Sequence, residues 1–502
     1  RILLAQGRAD RAVTYLLAAL QHAGNDGMVW YYSARALQKN GQISEALQAL
    51  EGCLKADPRC LDGWCMLLEL ATEAKNDSLF AEALEAAKQI APDDPRIARW
   101  SSTTGEVAAA RPPHVLLYTD DPAHGGVAQY NHTLLLALAR AGYRVTCMQT
   151  ESDSPLALEQ REHGIAHRWI GYDTGKEFAR TLTDRASFER VLGEDRPDFA
   201  IFSDCCPLSN LGARQAALDA GIPSMTVVGF VGAYLAKNFA AYLPQLARQH
   251  AAARAVVAVS SENLDLLRQH FGTPASVGEV IHYGRPEQFF QPVDAAVRAR
   301  LRAELGLPAD AVVSFTAARL SAVKGLNLQL AAFQALKGSP AYDRLALVWA
   351  GEGEQRAELE SEILRRGLQG KVHLLGHRWD VAHWYDAADF FTLSSQLEGM
   401  PLCIMEAMAK GLPVVATAVS GIPEELGDTG QLLPNPAMDA KGVVRDLART
   451  MAAWTLDAKQ RQRVGAAGRA RAEAIFRESL MLQRTLGLLQ QHLPIQPSLR
   501  LP

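Results

Sequence analysis

Apolar positions follow one rhythm over the first hundred residues and another from there on. In the first part, like residues return every 34 positions: Trp30 and Trp64, Pro58 and Pro92, Ala12 with Ala46 and Phe80, Leu16 with Leu50 and Leu84, and Ala19 with Cys53 and Ala87. A fixed period of this length marks a pair of helices that cannot bury its apolar face alone and stacks on its neighbours. About two and a half units fit, the first without its front helix, as at the end of a longer array. The stretch from Ser101 to Pro113, with Ala108-Ala109-Ala110-Arg111-Pro112-Pro113, then reads as a linker.

From His114 onwards short apolar runs alternate with helical patterns. The predicted strands are His114 to Thr119, Arg144 to Gln149, Phe199 to Phe202, Ser224 to Val228 and Ala255 to Ser260. A second series follows with Val312 to Thr316, Leu345 to Ala350, Val372 to Leu375, Phe390 to Leu393 and Pro413 to Ala416. Strand–helix alternation predicts parallel sheets covered on both faces, and two such series predict two α/β units with a cleft between them. An apolar stripe of Ile475, Leu480, Leu482, Leu486 and Leu489 predicts a last helix from about Ala474 to Leu493.

The most informative stretch is Leu397 to Gly411. A strand enters it, Pro401 suits the first helical position, Leu402, Met405 and Met408 or Ala409 recur at helical spacing, and Gly411 suits the position after the helix. A helix N-terminus offers unpaired N–H groups and partial positive charge to a phosphate. Glu398 precedes it, and Glu406 lies roughly 7–8 Å along the axis, at about 1.5 Å per residue. A diphosphate at the tip would leave one flanking sugar near Glu398 and the other beside Glu406, and carboxylates accept well from paired hydroxyls. A capping glutamate and a surface glutamate on an ordinary α/β helix would give the same pattern. Gly125-Gly126, at the end of the first α/β strand, falls where such sheets bind ligands, although ordinary turns use paired glycines too.

Composition narrows the class. Of 502 residues, 48% are hydrophobic and 21% charged, which describes a globular chain of about three domains. A formal charge of −4 argues against a nucleic-acid partner. Seven cysteines without a C-x-x-C pair predict a reducing compartment and no zinc site. No apolar run reaches the length of a membrane span, about 18 residues or more. The chain starts at Arg1, which suggests a fragment or processed form.

Several ordered motifs then carry a resemblance. Val257-Ala258-Val259-Ser260-Ser261 and Val280-Ile281-His282-Tyr283-Gly284 resemble the end of a first transferase domain. Ala318-Arg319-Leu320-Ser321-Ala322-Val323-Lys324-Gly325 resembles an arginine–lysine loop. Ala350-Gly351-Glu352-Gly353, Leu375-Gly376-His377-Arg378, the E-x7-E spacing of Glu398 and Glu406, and Gly421-Ile422-Pro423-Glu424 follow in sequence. Together they resemble the retaining glycosyltransferases of family four, with the GT-B fold, over roughly Pro113 to Leu493. The leading segment resembles the tetratricopeptide repeat.

The resemblance implies two Rossmann-like domains facing across a cleft, preceded by an all-α repeat segment. The expected divisions are 1–105 for the repeats, 113–290 for an acceptor domain, 291–475 for a nucleotide-sugar domain, and 476–502 for a helix and tail packing back on the acceptor domain. It implies catalytic roles for Arg319, Lys324 and Glu398. Donor binding would fall to Gly125, Gly126, His377, Arg378, Gly399, Met400, Pro401, Leu402 and Glu406, with Glu398 facing the donor sugar and Glu406 the ribose. His377 and Arg378 would lie near the base, through backbone atoms. No cofactor and no metal are expected, and Asp120-Asp121 is not read as a metal motif. The donor would be UDP- or GDP-linked. The acceptor would be a glycan, a lipid-linked molecule or a protein, and a protein partner could dock on the repeats. The expected setting is cytoplasmic, with peripheral contact at the inner face of a membrane and a role in bacterial surface polysaccharide or glycoconjugate synthesis.

One departure stands out. The family commonly places a histidine after the strand that begins near Ile222-Pro223, and Gly229 occupies that place here. His124 and His132 are spatial substitutes only if the fold brings them there. Tyr234, Lys237 and Asn238 are candidates for the acceptor side. The rival readings are a GT-B phosphorylase, whose pyridoxal type would carry a cofactor-lysine motif that is missing here, a nucleotide-sugar epimerase, and a repeat scaffold carrying an impaired transferase domain.

Overall fold

The computed structural model describes residues 9–20, 26–73, 76–92, 94–101, 112–121 and 125–493. The chain divides into two compact units: Arg1–Glu177, Ala186–Ile201 and Leu489–Pro502 in the first, and Phe178–Arg185 and Phe202–Leu488 in the second. Most of the expected linker from Ser101 to Pro113 lies outside the described residues.

The repeats belong to the first unit, and the 34-residue period appears directly in their helix starts. Helices Ala9–Leu20, Ile43–Ala56 and Asp77–Ile90 begin 34 residues apart, as do Gly27–Lys39, Leu61–Glu73 and Pro95–Ser101. Asp26 accepts from the N–H groups of Met28 and Val29, and Asn76 from that of Leu79, so polar side chains start two of these helices. Equivalent positions of successive repeats meet: Arg35 pairs with Glu69 at 3.3 Å and Arg96 with Asp62 at 2.5 Å. Stacking buries Leu37, Ala46, Leu50, Met66 and Leu70 in one cluster.

Thirteen strands are described: β1 (His114–Thr119), β2 (Arg144–Thr150), β3 (Ala166–Ile170), β4 (Phe199–Asp204), β5 (Ser224–Val228), β6 (Ala255–Ala258), β7 (Gly278–Val280), β8 (Val312–Ala317), β9 (Leu345–Ala350), β10 (Val372–Leu374), β11 (Phe390–Leu393), β12 (Val414–Thr417) and β13 (Gln431–Leu433). One sheet has the order β3-β2-β1-β4-β5-β6-β7 and the other β10-β9-β8-β11-β12-β13. These are the two parallel sheets of the GT-B fold. The strands β1, β4, β9 and β11 are buried on both faces, as parallel strands between helices must be. The strands β3, β7 and β13, which the apolar pattern does not predict, lie at sheet edges. There a half-polar sequence such as Ala-His-Arg-Trp-Ile is tolerated.

The predicted last helix is Glu478–His492, and the first residues expected in it, Ala474 and Ile475, end a separate helix, Ala458–Ile475. The break has a cause: Arg285 donates its N–H to the Phe476 carbonyl at 2.7 Å, and the Glu478 N–H donates to the Arg285 carbonyl at 3.0 Å. Backbone paired to another segment cannot also continue a helix. Ile475 therefore belongs to the earlier helix. Within the first unit, Tyr143 donates its hydroxyl to the Leu493 carbonyl at 2.9 Å, and His492 stacks on Phe199.

Candidate active site

In the second unit, three loops meet beyond the C-terminal ends of β8, β11 and β12. The loop after β8 carries Arg319 and Lys324. Its Gly325 has φ +62, and a Cβ there would stand 2.2 Å from the Ser394 carbonyl oxygen, so only glycine fits. The Gln396 N–H donates to the Val323 carbonyl at 2.7 Å, and Ser394 Oγ to the Gly325 carbonyl at 2.9 Å. These bonds fasten the basic loop to the segment leading into Glu398.

Lys324 Nζ reaches Glu398 Oε1 at 2.6 Å, and Ser395 Oγ donates to the same oxygen at 2.5 Å. The Glu398 N–H donates to Ser420 Oγ at 3.2 Å. Ser420 is in the left-handed region at φ +50, a costly conformation for a side chain and one that tends to mark functional loops. The Gly421 N–H donates to the Gly399 carbonyl at 3.0 Å, completing the link between the loops after β11 and β12. Arg319 is exposed, with no ion-pair partner among the described residues.

The helix that follows is Leu402–Ala409, with Pro401 as an extended N-cap rather than the first helical residue. No side chain caps it, so its first N–H groups are available beside Met400 and Pro401, both buried, and the partly exposed Gly399 and Leu402. The Lys410–Asp386 ion pair, at 2.7 Å and almost fully buried, ties the helix's C-terminal end to helix Val381–Ala387.

Glu406 is nearly enclosed. Its Oε1 lies 2.6 Å from Arg285 Nη2, and Tyr385 donates its hydroxyl to Oε2 at 2.7 Å. Tyr385 itself packs among Phe289, Phe315 and Phe391. Burial pushes the Glu406 carboxyl up, while Arg285 and Tyr385 hold it down. Nearby Glu425 is pushed well above the carboxylate range, first by burial and then by the charge of Glu398. The Met405 N–H and Arg471 act against that rise.

The loop after β10 presents His377 and an exposed Trp379, edge to face at 4.6 Å between ring centroids. Arg378 is already engaged. It donates to both Asp380 oxygens, at 2.8 and 2.7 Å, and lies over the Trp384 ring. That leaves backbone atoms and the two aromatic rings as the outward features of this loop.

Of the remaining sequence candidates, Gly229 contributes backbone only. A Cβ on Gly399 would lie 2.1 Å from the Gly229 carbonyl oxygen, so these two loops touch main chain to main chain. Tyr234, Lys237 and Asn238 are exposed on helix Ala233–Asn238. Gly125 caps and Gly126 starts helix Gly126–Arg140 in the first unit. On that helix His132 faces Gln160, at 3.3 Å, and Glu159, at 3.7 Å. Those contacts make it a packing residue. His124 lies outside the described residues. Asp121 accepts from the Ala128 N–H at 2.9 Å, and among the described residues no cluster could hold a metal ion.

Sequence reasoning did not single out Arg285, Tyr385, Ser395 or Ser420. The one signal for Arg285 was a charge directly after the Val280–Gly284 motif and four residues before Phe289-Phe290.

Comparison with known families decides the class. Residues 297–471 match the model "Glycosyl transferases group 1", residues 124–288 match "Glycosyltransferase Family 4", and residues 3–64 match a tetratricopeptide repeat. The chain belongs to the family-four, group 1 glycosyltransferases.

Relatives of this chain include the D-inositol 3-phosphate glycosyltransferase of Streptomyces bingchenggensis, 31% identical over 39% of this chain and 45% of that protein. The mannosylfructose-phosphate synthase of Agrobacterium fabrum is 31% identical over 33% of this chain and 38% of its own. An Escherichia coli K12 relative, WcaL, named for colanic acid biosynthesis, is 32% identical over 36% of this chain and 46% of its own. The matches thus span less than half of these curated relatives' length. Among solved structures, Anabaena HepE in complex with UDP has a TM-score of 0.62 at 20% identity, covering 75% of this chain and all of that one. Sucrose-phosphate synthase of Thermosynechococcus elongatus has a TM-score of 0.62 at 22% identity, covering 76% and 99%. These likenesses establish the GT-B fold of this chain.

Proposed function

We propose that the protein is a retaining glycosyltransferase that moves a hexose-like sugar from a UDP- or GDP-linked donor to a glycan, lipid-linked or protein acceptor. One observation carries the reading: Lys324 and Glu398 are held together at an uncapped helix N-terminus, with Arg319 exposed on the same loop. A diphosphate needs positive charge and N–H donors, and these elements supply both. Arg319 and Lys324 would stabilise charge growing on the departing diphosphate, in the role a divalent ion plays elsewhere, so no metal or other cofactor is invoked. Glu398 would face the donor sugar and Glu406 the ribose, with the base against the loop of His377 and Arg378. Gly125 and Gly126 are proposed for the donor as well.

Retention would follow from attack on the face that the leaving group vacates, the diphosphate oxygen assisting the incoming hydroxyl, with no covalent enzyme intermediate. The proposed setting is cytoplasmic, with peripheral contact at the inner face of a membrane. The free state of all seven cysteines suits a reducing compartment. Among the described residues no helix is long and apolar enough to cross a membrane. The likeness to a relative named for colanic acid biosynthesis favours a surface-polysaccharide acceptor. A protein partner on the repeats is part of the same proposal.

Gly229, in place of a side chain near the donor sugar, favours a second reading, a repeat scaffold with an impaired transferase domain. Isothermal titration with UDP and GDP, followed by a screen of donor sugars read by mass spectrometry, separates the two. Nucleotide binding with donor turnover supports the enzyme. Binding without turnover of any donor supports the scaffold.

A further inference from the structure

Cys53 and Cys60 form a cluster of nucleophiles that the transferase reading does not use. Cys53 is buried near the end of helix Ile43–Ala56, and Cys60 is partly exposed just before helix Leu61–Glu73. The Trp64 N–H donates to the Cys60 carbonyl at 3.1 Å, which makes Cys60 the N-cap of that helix. The Cys53 thiol and the Gly63 N–H both favour the Cys60 thiolate. Both sulfurs converge over Gly63. A Cβ there would lie 3.4 Å from Cys53 Sγ and 3.5 Å from Cys60 Sγ.

This arrangement favours one thiolate. An N-cap position stabilises negative charge through free N–H groups and the helix dipole. The neighbouring Cys53 thiol is the largest cause lowering the Cys60 thiol, to about 7, with the Gly63 N–H adding to it. Burial and the carboxylates of Asp62 and Asp57 oppose that change. Cys53 is pushed up, first by the neighbouring Cys60 and then by burial. Three other cysteines are disfavoured as thiolates: burial raises Cys65 to about 11, Cys147 to about 12, and Cys403 well above the ordinary range.

We propose that Cys60 is a reactive thiolate and Cys53 its resolving partner, a modification site that peroxide converts into a Cys53–Cys60 disulfide. The Cys60 thiolate attacks one oxygen of hydrogen peroxide, the O–O bond breaks, and hydroxide leaves to take a proton as water. Cys60 is then a sulfenic acid, oxidised by two electrons. Cys53 gives up its proton and its sulfur attacks that of Cys60. The S–O bond breaks and a second water leaves. The product staples the end of one repeat helix to the start of the next.

The full chain serves for the test. After treatment with a small excess of hydrogen peroxide and blocking of remaining thiols, a tryptic digest should contain peptide 40–55 linked to peptide 60–75. Fragmentation distinguishes Cys60 from Cys65 within the second peptide. Cys53→Ser should stop at a Cys60 sulfenic acid that dimedone labels, and Cys60→Ser should give neither product. Without oxidant, the pH profile of Cys60 alkylation should have its midpoint near 7, against about 8.5 for an ordinary thiol. Circular dichroism checks that both variants keep the repeat helices. A wild-type chain with no link, or a Cys60 midpoint at the ordinary value, overturns the proposal. So does faster oxidation of Cys205 or Cys206 than of Cys60.

Discussion

Arg285 places Nη2 2.6 Å from Glu406 Oε1, with both side chains under 10% exposed. The second glutamate of the E-x7-E spacing is therefore already paired. Removing one partner of a buried ion pair typically costs about 3–5 kcal/mol, because the other charge is left without compensation. Glu406→Ala should accordingly lower stability by that order, apart from any effect on nucleotide. The neutral combination Arg285→Met with Glu406→Gln should recover much of the loss in a chemical denaturation series. If Glu406 also serves the ribose, this double variant should bind UDP or GDP about 1–3 kcal/mol more weakly, the scale of a lost charged hydrogen bond. Wild-type affinity in a well-folded double variant would rule out the ribose role.

Lys324 and Arg319 should separate in kinetics and stability. If both stabilise charge that grows on the diphosphate, as proposed, their loss should reduce kcat more than it raises KM, by about 10²–10³-fold for Lys324→Ala. Arg319 has no ion-pair partner among the described residues, so Arg319→Ala should leave the melting temperature unchanged. Lys324→Ala removes a partner of Glu398 and should shift it modestly. Normal turnover in Lys324→Ala would reduce the loop to a structural element.

Glu425 gives a pH prediction of defined sign. Its folded-state carboxyl is raised above the unfolded value. The stability associated with its protonated form is thus fully present below about 4.5 and is lost as pH rises toward the folded value. Glu425→Gln keeps the shape and removes the titration. Its melting temperature should rise relative to wild type as pH increases from 5 to 8 and should differ little at the acid end. Parallel curves across that range would mean that Glu425 does not titrate in this way.

The parts legible in the sequence were those with strong local rules. The 34-residue period appears in the helix starts at Gly27, Leu61 and Pro95, and strands such as β1 and β9 match their apolar runs because they are buried on both faces. Three of the four edge strands were not legible, since β7 and β13 are three residues each and β3 is half polar, whereas the apolar run of β10 marked the fourth. The helix break at Phe476 was hidden because it depends on Arg285, far away in sequence. At the site, a helix starting just after Glu398 could be anticipated from spacing, whereas the contact of Glu398 with Lys324 could not. The enclosure of Glu406 could not, because Tyr385 and Arg285 reach it only through tertiary packing.

The meeting of Gly399 with the Gly229 carbonyl has a mechanical consequence. Side chains between two loops act as a cushion, since rotamers can absorb a small shift of either. Here there is none, and the two main chains act like meshed teeth. A displacement of the segment after β5 is passed directly to the residue beside Glu398, and a methyl group added at position 399 would force the teeth apart. The loop that lacks the expected histidine thus keeps a way to set the position of the carboxylate, through its backbone alone.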